Sequence, residues 1–392
     1  MNTDLYEKYL IKLIKSGILY ECAEPLPANV DMHTLVNLAI KHSVANIIYE
    51  PLSKIGISDR ELDNKIQKIY RYGIINDSIQ MNYLQRITGA FESNGISYCV
   101  MKGAVIKNLY PRSDFRQSGD LDIFVPESDR MKAHDVMVEM GFCIERFNIN
   151  EADDVYFIDK KIHVELHRIL VSNKTPWQKE CQKITDRLIL TEGYKYNYKM
   201  SDEDYYLYMI AHMAKHMKYS GMGIKMVLDV WIYMREYSDK LNWNILNKRL
   251  MECGLDLFEK NVRELCYYWF ENKDGGELVK KMGHYILISG AFGTSEQLDA
   301  YMFAKDAGKT NSVHIAKLTY YLKVFFEPYY LMCKRYPVLI KLPILLPFYW
   351  MHRAAKSILF HRDKSNAIAA KYDNVNLDNA KKILDFKKEI GL

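Results

Sequence analysis

The sequence predicts an α+β fold in which a small mixed β-sheet domain stands between N-terminal and C-terminal helical regions. Three observations predict it. Apolar residues recur at helical spacing through the first 88 residues, as in "DLYEKYLIKLIKSGI". After Gly95 the pattern switches to short β-branched and aromatic runs, beginning with "ISYCVM". Helical spacing returns at Ser201 with "SDEDYYLYMIAHMAKHM". The expected division is therefore 1–88 helical, 89–200 α+β and 201–392 helical. A chain of 392 residues also exceeds what one core holds.

Each element has a local reason. "TLVNLAIKHSVANIIYEPL" reads as a second helix that Pro51 stops. A third runs from about Arg60 to Asn94 and ends at Gly95, a natural C-cap residue. Ile96–Met101 is a strand, Lys102-Gly103 a turn, and "AVIKNLYP" a short helix halted by Pro111. "DLDIFV", Asp120 to Val125, is a second strand, and "ESDRMKAHDVMVEM" an amphipathic helix ended by Gly141. "FCIERF", "DVYFID" and "KIHVELHRIL" read as three more strands, the last around Ile162 to Leu166. Ser201-x-x-Asp204 has the form of a capping box. "KMVLDVWIYMREY", "LDLFEKNVRELCYYWF" and "VHIAKLTYYLKVFF" continue the helical pattern. The final stretch, "KYDNVNLDNAKKILDFKKEIGL", is polar and reads as a surface helix or tail.

Composition sets limits. Hydrophobic residues at 49% and charged residues at 26% are ordinary for a globular protein. A net charge of +5 is too mild to argue for a nucleic-acid partner. Seven cysteines, an odd number without a C-x-x-C pair, read as free thiols in a reducing compartment. The charged N-terminal stretch lacks a signal peptide's apolar run, so a cytoplasmic protein is expected. "YPVLIKLPILLPFYW", Tyr336 to Trp350, is shorter than the ~20 residues of a spanning helix. It carries Lys341 and three prolines, Pro337, Pro343 and Pro347. It reads as a buried connection of short helices, or else as a peripheral membrane or protein contact.

The chemistry concentrates in "QSGDLDIFVPE". On a strand, Asp120 and Asp122 point to one face roughly 6.6 Å apart, a spacing that lets two carboxylates share cations. Glu165, in "HVELH", supplies a third acid if its strand lies beside theirs. Hard oxygen donors of this kind suit Mg²⁺, and two such ions can drive an in-line displacement at phosphorus. Lys102 and Gly103, between strand and helix, offer a phosphate cradle, and Arg112 and Arg116 a guanidinium clamp. His163, Glu165 and His167 share a face that a zinc ion would also accept. His212 and His216, four apart on a helix, lack the Glu of a metallopeptidase motif and read as core or nucleotide-facing. Asp229, in "VLDVW", reads as a helix-end partner or a cleft residue.

Strand, Lys-Gly, helix, Tyr-Pro, Arg, "GDLDIFV" and a later "HVELH" together resemble the nucleotidyltransferases of the polymerase-beta-like superfamily, and within it a bacterial branch of uncharacterised nucleotidyltransferases. The resemblance covers about 89–170 and extends more loosely through "HMAKHMKYSGMGIKMVLDVWIYM". It implies a catalytic and metal-binding set of Asp120, Asp122 and Glu165, holding two Mg²⁺ with Mn²⁺ as the substitute. It implies nucleotide contacts at Lys102, Gly103 and Arg116. The implied reaction moves a nucleoside monophosphate from a triphosphate, such as ATP, to an acceptor hydroxyl and releases pyrophosphate. The family's Gly-Gly or Gly-Ser step falls on Gly103-Ala104. The missing hydroxyl at Ala104 leaves a second expectation open, a catalytically silent nucleotide-binding or interaction protein. The acceptor is not legible.

Overall fold

The computed structural model describes residues 3–148, 151–159, 162–171, 175–291, 293–310, 322, 325–360 and 377–392. They form two compact units, Met1–Gly293 with Ile390–Leu392, and Thr294–Glu389.

The first unit opens with α1 (Thr3–Leu19), α2 (Met32–Lys41), α3 (Ala45–Ile55) and α4 (Arg60–Ser93). Asp31 caps α2 by accepting from Thr34 N (2.7 Å), and Asp59 caps α4 by accepting from Glu61 N and Leu62 N (2.8 and 3.0 Å). Pro51 does not stop its helix as expected: the break falls earlier, at Ser43 with φ 56°, and Pro51 lies inside α3. Pro51 has no N–H for the Ile47 carbonyl one turn back. That carbonyl instead faces Gly17 of α1, where a β-carbon would lie 2.5 Å from the oxygen. α4 is one continuous helix of 34 residues. It ends at Gly95, whose φ of 67° suits a residue without a β-carbon.

The strands follow: β1 (Tyr98–Val100), β2 (Asp120–Phe124), β3 (Cys143–Arg146), β4 (Asp153–Ile158), β5 (Ile162–His167), β6 (Ile189–Leu190) and β7 (Asn197–Lys199). They make a mixed seven-stranded sheet of order β3-β4-β5-β2-β1-β7-β6. β2 runs parallel to β5 and β1 parallel to β7; the remaining pairs are antiparallel. The sequence pattern lacks β6 and β7, which are two and three residues long. Between strands lie α5 (Gly103–Ile106), α6 (Arg130–Glu139) and α7 (Gln178–Gln182). One sheet face is apolar: Leu121, Ile123, Val164 and Leu166 pack with Ile87 and Phe91 of α4 and Ala133 and Met137 of α6. Burial of these side chains is the main force fixing β2 against β5, because a one-residue slip would turn the acids into the core.

Helices α8 (Asp202–Tyr219), α9 (Ile224–Tyr237), α10 (Trp243–Cys253), α11 (Asp256–Phe270) and α12 (Glu277–Ser289) complete the unit. Ser201 caps α8 by accepting from Asp204 N (3.2 Å), and three acids in its first turn suit the helix dipole. The second unit contains α13 (Ser295–Thr310), α14 (Tyr329–Arg335), α15 (Val338–Lys341), α16 (Leu346–Phe360) and α17 (Leu377–Glu389), with α17 packed along α13. Most of the helix expected in "VHIAKLTYYLKVFF" and the start of the polar tail lie outside the described residues. The 336–350 stretch does form short helices, but it is not buried: Ile340, Leu342, Ile344 and Phe348 are exposed. Pro337 and Pro343 stand at the starts of the short helix and the 3₁₀ turn, and Pro347 in the first turn of α16, positions where the missing N–H is no loss. Among the described residues no helix is long and apolar enough to cross a membrane.

His42 ties the N-terminal helices to the later ones. It is buried at the end of α2, donates from Nε2 to Leu287 O (2.9 Å) and accepts at Nδ1 from Ile224 N (3.3 Å). The second bond needs the neutral ring, because a protonated Nδ1 cannot accept. Burial, with help from Lys41, lowers its pKa from 6.5 to about 4. The unfolded chain therefore takes up the proton first, and the stability His42 supplies falls as pH drops from 6.5 toward 4. Its contribution should fall by about 2 kcal/mol between pH 7 and pH 5. Thermal unfolding at both values checks this. His42→Gln, which cannot take the proton, should lose less than wild type over that interval.

Candidate functional site

The site grows from strand alternation. Parallel pairing sets Asp120 opposite His163, Asp122 opposite Glu165 and Phe124 opposite His167. With Leu121 and Ile123 committed to the core, Asp120 and Asp122 emerge on the other face together with His163, Glu165 and His167. Asp122 and His167 are buried, Glu165 is half-buried and Asp120 is exposed in the cleft. Ligand atoms of Asp122, Glu165 and His167 all lie within 4.8 Å of one another.

Two side chains of the site, Lys102 and His167, meet these acids. Lys102 Nζ lies 2.6 Å from Asp122 Oδ1, and His167 Nε2 lies 2.8 Å from the same oxygen and 3.2 Å from Glu165 Oε2. Burial alone would raise the Asp122 pKa, but Lys102 and His167 together hold it well below the usual carboxylate range. The His167 hydrogen bond likewise lowers Glu165. Burial and Lys102 push His167 down, yet its bonds to Asp122 and Glu165 outweigh them and leave it raised. Asp120 has no such partner. Desolvation in the cleft, then repulsion from Glu165 and Asp122, raises its pKa. Asp122, Glu165 and His167 form a group that could hold a metal ion, with Asp120 on the same face.

Lys102 reaches Asp122 from a backbone with φ 47° and ψ −128°, a conformation that L-residues seldom adopt. Tyr205 of α8 holds it by donating from its hydroxyl to Lys102 O (2.9 Å). Next to it, Gly103 is required by space: a β-carbon there would collide with Ser118 Oγ and approach Arg116 Nη1 to 3.2 Å. Ser118, in the loop before β2, sets its hydroxyl against Gly103 and accepts from Arg116 Nη1 (3.2 Å). That loop is clamped on three sides. Gln80 of α4 donates to Ser118 O (3.0 Å), Arg116 Nη1 to Gln117 O (2.9 Å) and Lys225 Nζ of α9 to Gln117 O (3.1 Å).

Arg116 is anchored by a two-point ion pair. Its Nε and Nη2 reach Asp229 of α9 at 2.9 and 2.8 Å, and Tyr110 OH donates to the same carboxylate at 2.7 Å. Asp229 is therefore a cleft residue and the partner of Arg116. Arg112 points elsewhere, to Glu50 (2.6 Å) and Asp114 (3.0 Å).

A cavity of about 290 Å³ opens over the acids, lined by Lys102, Gly103, Ser118, Asp120, Asp122 and Glu165 from the sheet side. The helical side supplies Tyr208, His212, Lys215, His216 and Lys225. His212 and His216 stack edge to face at 4.7 Å, and burial lowers both, His216 to about 4. Burial, then Arg116, lowers Lys225 to about 7. Tyr208 is buried and its hydroxyl has no hydrogen-bond partner among the described residues. A second cavity of about 200 Å³ lies beyond Glu165 and His167 and adds Asp153 to their lining.

All six residues expected to act, Lys102, Gly103, Arg116, Asp120, Asp122 and Glu165, line the first cavity. His163 stands apart from the acid cluster and faces Glu145 (3.5 Å). His167 takes the place in the cluster that the zinc alternative shared between both histidines; its offset of two from Glu165 was the available signal. Tyr208 and Lys225 carry no motif, since their approach depends on how α8 and α9 fold back over the sheet, and Ser118, although in the acid stretch itself, meets Gly103 only through the folded loop before β2.

Residues 28–271 match the model of a family described as uncharacterised nucleotidyltransferase. No curated protein and no solved structure matches the chain. The matched span runs from just before α2 to the end of α11, includes every residue of the acid cluster, and covers more than half of the sequence: the chain belongs to this nucleotidyltransferase family.

Proposed function

We propose that this chain is a metal-dependent nucleotidyltransferase of the polymerase-beta-like kind, moving a nucleoside monophosphate from a triphosphate to an acceptor hydroxyl. The observation that carries this reading is the register of β2 against β5, which faces Asp122 with Glu165 and brings His167 to both. The cluster of Asp122, Glu165 and His167, with Asp120 on the same face, fits a divalent cation, and the partnerless Tyr208 hydroxyl in the same cavity fits a bound ligand. Asp120, Asp122 and Glu165 would hold Mg²⁺, or Mn²⁺ in its place. When bound, the metal neutralises phosphate charge and favours the deprotonated acceptor hydroxyl.

The chain's own residues then do the rest. Lys102 turns from Asp122 toward phosphate oxygens as the acids take up their new partner. The Gly103 backbone and the Ser118 hydroxyl line the phosphate path, and Lys225 adds charge from α9. Arg116 holds this loop in place through Asp229 more than it clamps phosphate itself. Tyr208 donates to the bound triphosphate. The acceptor enters from the smaller cavity, opposite the phosphates, as an in-line displacement requires, with Glu165 between the two. Catalysis rests on positioning and charge neutralisation.

Incubation of the full chain with triphosphates labelled at the α-phosphorus, Mg²⁺ and candidate acceptors tests the reading. Pyrophosphate release together with labelled acceptor supports it; no release with any triphosphate contradicts it. The contact of Lys102 with Asp122 favours a second reading, a catalytically silent nucleotide-binding protein whose acids are satisfied internally. Calorimetry showing triphosphate binding without pyrophosphate would select that one.

Tyr208→Phe separates ligand contact from structure. Removing a buried hydroxyl without a partner should leave stability unchanged or raise it by up to about 1 kcal/mol. Triphosphate affinity should fall about three- to tenfold, measured by calorimetry beside thermal unfolding.

A further inference from the structure

The second unit carries a surface that nucleotidyl transfer does not use. From Tyr329 to Met351 the chain folds as α14, α15, a 3₁₀ turn at Pro343–Leu345, and the first part of α16. Its inner side is finished: Met332 and Leu339 are fully buried, Trp350 Nε1 donates to Glu327 O (2.9 Å), and Tyr329 OH donates to Leu339 O (2.8 Å). Its outer side is hydrocarbon. Ile344 is 85% exposed, Met351 68%, Ile340 67% and Phe348 63%. Large side chains held outward on a segment whose polar groups are satisfied inward mark a contact surface.

Charge decides what covers it. Between Pro328 and Lys356 the sequence contains Lys334, Arg335, Lys341, Arg353 and Lys356 and no Asp or Glu. Glu327 pairs with Arg335 (3.1 Å) and Arg353 (3.9 Å). Lys341 and Lys356 are exposed, Lys341 between Ile340 and Leu342 in the sequence and Lys356 five residues after Met351. Aliphatic and phenyl tips alone would suit a lipid or a protein partner, and the absence of any acid between Pro328 and Lys356 favours an anionic lipid surface. With cations of one sign beside them, they complement an anionic headgroup layer over acyl chains. The short helices are too short to span, so the contact is interfacial.

We propose that the face formed by Ile340, Leu342, Ile344, Phe348 and Met351 binds the surface of an anionic lipid bilayer, with Lys341 and Lys356 at the headgroups. The contact is independent of the active-site reading. Co-sedimentation of the full chain with vesicles tests it, using phosphatidylcholine alone and roughly two parts phosphatidylcholine to one part phosphatidylglycerol. Wild type should bind the anionic vesicles about tenfold more strongly than the neutral ones and lose binding as salt rises. Ile344→Asp/Phe348→Asp should weaken binding about tenfold or more while circular dichroism stays unchanged. Lys341→Glu/Lys356→Glu should remove the preference for anionic lipid. Failure of wild type to bind either vesicle, or binding indifferent to Ile344→Asp/Phe348→Asp, would overturn the proposal. So would self-association, read by analytical ultracentrifugation, that the double Asp variant abolishes while no vesicle is bound. That result would make the face a contact between copies of the chain.

Discussion

Asp122→Asn should lower nucleotidyl transfer by about a thousandfold or more while the protein stays folded. Asp122 is the point where everything in the site converges: Glu165 across the strand pair, Lys102 at 2.6 Å and His167 at 2.8 Å. Asn keeps the shape and one acceptor oxygen for those donors, so the strand register, set by Leu121 and Ile123 on the opposite face, is not disturbed. The change removes the charge alone. In the proposed reaction that charge would hold the cation, and through it the phosphate, in place. Pyrophosphate release at saturating Mg²⁺ and triphosphate gives the rate, and far-UV circular dichroism reports the fold. Asp122→Asn turning over within tenfold of wild type would remove Asp122 from the chemistry.

Asp229→Ala should destabilise the first unit by about 3–5 kcal/mol. Arg116 and Asp229 each keep only 11% of their side chain exposed, and three hydrogen bonds join them. The truncation leaves a buried guanidinium without its partner and also strands the Tyr110 hydroxyl. The melting temperature should fall by about 10 °C. Arg116→Met/Asp229→Met, which removes both charges, should recover part of that loss, since a buried ion pair replaced by apolar groups is often near neutral. Activity should not recover in the double variant. Without Arg116 the Gln117–Ser118 loop loses the donor at 2.9 Å that positions it against Gly103. Equal destabilisation in the single and double variants would mean that packing, not charge, decides this site.

The centre of the fold was legible because it is local. β2 and β5 announce themselves by alternation, and the same alternation fixes which acids share a face. Lys102-Gly103 was readable as a turn, although the positive φ at Lys102 was not, since nothing in the residue type favours it. Pro51 misled for a long-range reason: the carbonyl it frees is accommodated by Gly17 of another helix. The helical wall of the site was illegible for the same kind of reason. Tyr208 and Lys225 sit on helices whose apolar stripes are evident, but which residue tops the stripe over the acids depends on helix angles that no short motif encodes. At 336–350 the apolar composition argued for burial, yet Ile340, Leu342, Ile344 and Phe348 are exposed.

In the proposed reaction the Asp122–Glu165 pair takes a divalent cation together with nucleotide. Electron paramagnetic resonance of Mn²⁺ added with a non-hydrolysable triphosphate analogue measures that directly. Wild type should bind Mn²⁺, Tyr208→Phe should bind it more weakly, and Asp122→Asn and Glu165→Gln should each lose the signal of the bound ion. Mn²⁺ binding that is unchanged in both carboxylate variants would contradict the account.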